Sequence, residues 1–125
     1  MIVHVNNLAR YEKEIKELAR KVISGENLKG ELSITFVDDD KMSELNERYT
    51  GRSDSTDVLS FPFDVPLLLG DIYISLTQAN RQKEVGILSE LKLLTVHGIL
   101  HLAGYNDSTE EERNEMREKE KEYLK

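Results

Sequence analysis

Two spacings of apolar residues divide the chain. Glu31–Val37 alternates strictly, setting Leu32, Ile34 and Phe36 on one side and polar residues on the other, as in a strand with one buried face. Ile2–Val5, Val58–Phe63 and Gly70–Ser75 read as three more strands. Pro62 offers no amide hydrogen to a ladder, so its strand lies at a sheet edge or ends there. Helical spacing appears at Leu8, Tyr11, Ile15, Leu18, Ala19 and Val22, behind an N-cap expected at Asn7. It returns at Met42, Leu45 and Tyr49 behind the acidic run Asp38–Asp40. A capping-box pattern of Ser75 with Gln78 opens another helix, expected to end near Gly86. Thr109 with Glu112 opens the last, with Met116, Tyr123 and Leu124 facing inward.

Leu88–Ala103 is different. Leu91, Leu93, Leu94, Val96, Ile99, Leu100 and Leu102 surround it almost completely, which predicts a buried central helix, ended by Gly104. The stretches Glu26–Gly30, Thr50–Thr56 and Asp64–Leu69 are expected loops. The last has an apolar tip, Leu67–Leu69, suited to a protein partner or to packing on the central helix. Four strands mixed with about five helices, without regular alternation, predict an α+β fold in a single domain over residues 1–125.

Composition narrows the chemistry. The 125 residues include no cysteine, which excludes disulfides, thiolate metal sites and cysteine nucleophiles together. Any metal must be held by nitrogen and oxygen. No targeting segment is evident and no run approaches the roughly 18 apolar residues of a membrane span, so a cytoplasmic protein is expected. The formal charge of −7 argues on its face against a nucleic-acid partner. By segment the objection weakens. Asp38–Glu47 carries 5 acids against 1 base and Asp107–Lys125 carries 8 against 5, which together account for the whole excess. A cationic strip from Arg48, Arg52, Arg81, Lys83 and Lys92 remains available.

His97 and His101 stand at i and i+4 on the central helix, one turn apart on one face, as two ligands of one metal ion require. The competing reading is two core histidines held by backbone or carboxylate groups. Gly104 and Asp107 extend the pattern to H-x-x-x-H-x-x-G-x-x-D, the spacing of a metzincin site with glycine for glutamate at 98 and aspartate for the third histidine. A glycine free to take positive φ turns the chain so that a residue just beyond can close the site. Two imidazoles and a carboxylate leave one position open for water, as in a catalytic zinc centre. Otherwise Asp107 would be an N-cap or a solvated loop charge. Gly98 offers no general base, which disfavours a peptidase and suits phosphodiester hydrolysis, where metal and a nearby cation act on the phosphoryl group.

The run His97-Gly-Ile-Leu-His-Leu-Ala-Gly-Tyr105 resembles the signature of the YbeY family of bacterial metal-dependent endoribonucleases. Leu45-Asn-Glu-Arg-Tyr49 running into Thr56-Asp-Val-Leu-Ser-Phe-Pro62, and Gly70-Asp-Ile-Tyr-Ile-Ser75, agree with two further blocks of it. The resemblance spans nearly the whole chain. It implies a zincin-like fold, one zinc ion or another divalent transition metal held by His97, His101 and Asp107, and single-strand cleavage in maturation of the 16S rRNA 3′ end. Ribosome quality control, and a partner on the small ribosomal subunit or a ribosomal protein, follow from the same resemblance, with no DNA or membrane partner. Two departures stand out. Asp107 replaces the family's histidine, giving a shorter, anionic ligand and a less electrophilic metal. Thr50 stands where the family usually has arginine; the flanking Arg52 or Arg48 could approach a phosphate, though neither inherits the role by position.

Three functions therefore compete: the endoribonuclease, a ribosome-assembly factor with a structural or vestigial metal site, and, on spacing alone, a metallopeptidase. Of the remaining residues, His4 is expected at an ordinary surface or core position. Asp57, Ser60 and Asp71 are expected in turn and strand roles. Phe61 and Phe63 could stack on bases, with at least one expected in the core.

Overall fold

The computed structural model describes residues 2–52 and 56–125. Its elements are β1 (Val3–Asn6), α1 (Glu12–Gly25), β2 (Glu31–Val37), α2 (Asp39–Thr50), β3 (Val58–Val65), β4 (Leu68–Ser75), α3 (Leu76–Gln82), α4 (Ile87–Leu102) and α5 (Glu110–Tyr123). The fold is α+β, with a mixed sheet in the order β1-β2-β4-β3. The β1–β2 and β2–β4 pairs are parallel, while β3 runs antiparallel to β4 along an edge. Pro62 is thus on an edge strand, where its missing donor costs no ladder bond.

The alternation in β2 puts Leu32, Ile34 and Phe36 in the core beside Ile72 and Ile74 of β4. Ile15, Leu18, Ala19, Val22 and Ile23 of α1 and Leu91, Leu94, Val96, Ile99 and Leu100 of α4 close over them. The central helix is buried as expected. One close approach fixes its height above the sheet. A Cβ on Gly98 would lie 3.0 Å and 3.1 Å from Ile72 side-chain carbons and 3.3 Å from Ser60 Oγ.

Several boundaries differ from the sequence reading, each for a local reason. Asn7 is no helix cap: it takes φ 65°, a turn intervenes, and α1 starts after Tyr11, also left-handed at φ 70°. Leu8 and Tyr11 still pack on the core, which is why they fit the helical spacing. The expected loop at Asp64–Leu69 is mostly strand. A register shift between Pro62 and Val65 lets β3 and β4 run on to a hairpin whose turn is Pro66–Leu67. Leu67 there is 80 % exposed, and only Leu69 of the apolar tip packs on the core. The helix from Ser75 ends at Gln82, because the chain must bend by 117° to enter α4. Ser75 Oγ accepts from Gln78 N at 3.1 Å, but the Gln78 side chain donates to Asp39 rather than closing the box. The Thr109–Glu112 box is complete in both directions. Leu124 lies past the last helical turn and is exposed, whereas Tyr123 packs inward beside Gly25.

Candidate metal centre

The i, i+4 spacing on α4 sets the His97 and His101 rings 4.7 Å apart between centroids and nearly perpendicular, at 81°. Just beyond them the helix stops. Gly104 takes φ 101°, its N–H bonds the His101 carbonyl at 3.1 Å, and Tyr105 N–H bonds the Leu100 carbonyl at 3.0 Å. The chain turns back and brings Asp107 to the pair, 3.4 Å from His101 Nε2 and 3.7 Å from His97 Nε2 through Oδ2. The two Nε2 atoms are 3.1 Å apart. Asp107 does not cap α5, since Thr109 does.

These distances suit a metal ion. Four-coordinate zinc with ligand bonds of about 2.0–2.1 Å spaces its ligand atoms about 3.3 Å apart. The observed 3.1, 3.4 and 3.7 Å bracket that value. His101 is also in the correct tautomer: the Tyr105 carbonyl at 3.0 Å can only accept, so Nδ1 carries the proton and Nε2 a lone pair. His97 Nδ1 lies 3.4 Å from Glu120 Oε1 of α5. Burial would lower the pKa of His97, but the Glu120 hydrogen bond and the charges of Glu120, Asp107 and Asp57 outweigh it, and the pKa is raised. A site that holds extra positive charge at an imidazole is one that attracts a cation.

A cleft of about 400 Å³ opens over the three side chains, lined also by Thr56, Asp57, Ser60 and Pro62. Asp57 accepts from Gln82 Nε2 at 2.9 Å, and Ser60 Oγ donates to the Gly98 carbonyl at 3.0 Å. Gly98 itself is buried against the sheet, so no side chain at 98 could serve as a base.

Arg48 and Arg52 are exposed, and neither is among the described residues lining the cleft. Arg52 precedes the cleft residue Thr56 by four positions. Thr50 has a helix-end role, its hydroxyl donating to the Asn46 carbonyl at 2.7 Å. His4 sits on β1, at the sheet edge remote from β3, and pairs with Glu31 at 3.2 Å. Asp71 lies on β4 outside the cleft lining, its pKa raised by burial. Neither Phe61 nor Phe63 joins the core. Phe61 lies between Tyr49, tilted at 4.9 Å, and Tyr73, edge-on at 5.9 Å, and Phe63 is exposed.

Residues 3–125 match the family model described as Endoribonuclease YbeY. The chain belongs to the YbeY family. It is 38 % identical to Endoribonuclease YbeY of Bacillus cytotoxicus, over 91 % of this chain and 85 % of that one. The Sulfurihydrogenibium relative of the same name is 43 % identical, over 82 % and 76 %. The solution structure of TM1509 from Thermotoga maritima superposes with a TM-score of 0.70 at 29 % identity, covering 98 % of this chain and 87 % of that one.

The sequence reading singles out Met116, Tyr123 and Leu124 on the last helix and does not single out Glu120. The missing signal was positional. Glu120 falls four residues after buried Met116 and three before inward Tyr123, on the apolar side of α5.

Proposed function

We propose that this chain is a metal-dependent endoribonuclease that cuts single-stranded RNA, with zinc held by His97, His101 and Asp107. The observation that carries this reading is the set of ligand-atom separations, 3.1, 3.4 and 3.7 Å, beside a cleft of about 400 Å³. Bound there, the metal would polarise a phosphoryl oxygen and acidify water. The chain's own residues do the rest. The Tyr105 carbonyl orients His101, and the Gly104 turn delivers Asp107. Gly98 supplies no base at the position where a peptidase of this spacing carries its glutamate. Arg52, with Arg48 as the other candidate, meets the phosphate and offsets its charge.

Membership of a family whose relatives are named endoribonucleases supports RNA as the substrate. On the same footing we assign the activity to maturation of the 16S rRNA 3′ end and to ribosome quality control in the cytoplasm, with the small ribosomal subunit or one of its proteins as partner. Among the described residues no single helix is long and apolar enough to cross a membrane.

The assembly-factor reading keeps one specific observation in its favour: no arginine is among the described residues lining the cleft. Cleavage of a single-stranded RNA oligonucleotide separates the two. Activity that is lost on chelation, restored by zinc and absent in His97→Ala supports the nuclease. RNA or subunit binding without turnover in the zinc-loaded protein supports the assembly factor.

A further inference from the structure

We propose that Glu120, near the end of α5, is the positioning residue of the metal centre: its carboxylate accepts from His97 Nδ1–H and so turns the Nε2 lone pair toward the ion. This rests on the reading that His97, His101 and Asp107 hold a metal. The two histidines are held by different means. His101 is set by its own loop, through the Tyr105 carbonyl. Among the described residues, His97 Nδ1 meets instead a side chain arriving from the far end of the chain, Glu120 Oε1 at 3.4 Å.

Burial marks Glu120 as unusual. Its side chain is 12 % exposed, while Glu118 and Glu122 on the same helix are 76 % and 64 % exposed. Glutamates are almost never so covered unless paired. The helix is also clamped beside it. Tyr123 hydroxyl donates to Glu26, Lys119 pairs with Glu26 at 3.8 Å, and Lys21 Nζ donates to the Tyr123 carbonyl at 3.0 Å. Glu120 is therefore presented by a fixed turn.

The chemistry follows from which nitrogen carries the proton. With Nδ1–H donated to Glu120, His97 Nε2 is a lone pair facing the lone pair of His101 Nε2 at 3.1 Å, an arrangement that a cation relieves. The other tautomer would turn the Nδ1 lone pair at a carboxylate. It would also let Nε2–H donate to His101 Nε2, masking both ligand atoms with one hydrogen bond. Removing the carboxylate frees that second arrangement. Carboxylate–histidine–metal relays are commonly tuned in this way, and their loss typically costs about 10–100-fold in metal affinity.

The test uses full-length protein with Glu120→Leu and Glu120→Gln, and Glu118→Gln on the exposed side of α5 as control. Zinc affinity is read by competition with a chromophoric chelator. The His97 tautomer is read by ¹⁵N NMR of the metal-free protein, at a pH where the imidazoles are neutral. Thermal unfolding identifies any variant that has lost its fold, and Glu120→Gln, of equal size, then decides. The expected result is Nδ1–H at His97 in the unsubstituted protein and in Glu118→Gln, Nε2–H in Glu120→Leu, and zinc binding weakened about 10–100-fold in Glu120→Leu and less in Glu120→Gln. Folded Glu120 variants with unchanged tautomer and affinity would overturn the proposal while leaving the metal site standing. Absence of zinc uptake by the unsubstituted protein would overturn the metal site, and this inference with it.

Discussion

Asp107 closes the candidate centre with a side chain shorter than histidine, and it reaches because Gly104 turns the backbone at φ 101°. Its carboxylate brings a negative charge where a third imidazole would bring none. Substitution to alanine leaves two ligands and is expected to weaken zinc binding by at least about tenfold, the scale on which even supporting residues act. Asp107→His restores the three-imidazole set, and zinc binding and RNA cleavage should both rise relative to the natural chain. Chelator competition and an oligonucleotide cleavage assay check this pair. Tighter zinc in Asp107→Ala than in the natural protein would contradict it.

The helix α4 packs closely on the sheet, and the contact turns on Gly98. A methyl there meets Ile72 at 3.0 Å and 3.1 Å. The overpacking costs about 1–3 kcal/mol, against about 1 kcal/mol gained from alanine's better helix propensity. Gly98→Ala should therefore lose up to about 2 kcal/mol in a denaturant titration, and a gain would show that the helix has room to lift.

This contact also shows what a sequence can and cannot disclose. The apolar character of α4 and the alternation of β2 were legible, because burial on every side and burial on one side leave different spacings. The His97–His101–Asp107 grouping was legible as well, since helix pitch and a glycine turn fix it locally. Gly98 was read only as a missing base, because its contact with Ile72 depends on how closely α4 approaches β4. Glu120 was missed for a similar reason: its partner is on another helix, 23 residues away in the chain. The two strands of the β3–β4 hairpin were legible, but its end at Asp64–Leu69 reads as a loop because a shifted register hides the alternation that marks a strand.

At the scale of the whole molecule, the metal site lies at the rim of a core built by α1, α4 and the sheet. Chelation is therefore expected to leave the protein folded, while zinc at 100 times its dissociation constant adds about 2.7 kcal/mol of stability. Collapse of the far-UV spectrum on chelation would contradict this. The α5–α1 contact gives the molecule an alkaline limit. Burial, and then the bond to Glu26, raise the pKa of Tyr123, and burial raises those of Tyr73 and Tyr105. The folded protein thus keeps protons that the unfolded chain releases near the ordinary tyrosine pKa of about 10, and stability falls as pH rises above it. Tyr123→Phe should flatten that fall in unfolding measured across the alkaline range. An unchanged slope would place the effect elsewhere.

The expectation for this chain, with Asp107 beside His97 and His101, is a bound metal. Its most direct test is the metal content of the purified natural protein and of His97→Ala and Asp107→Ala, by elemental mass spectrometry. The expected result is one ion per natural chain, none in His97→Ala and a substoichiometric amount in Asp107→Ala. A natural chain without metal, or an Asp107→Ala variant that keeps a full complement of tightly held metal, would contradict it.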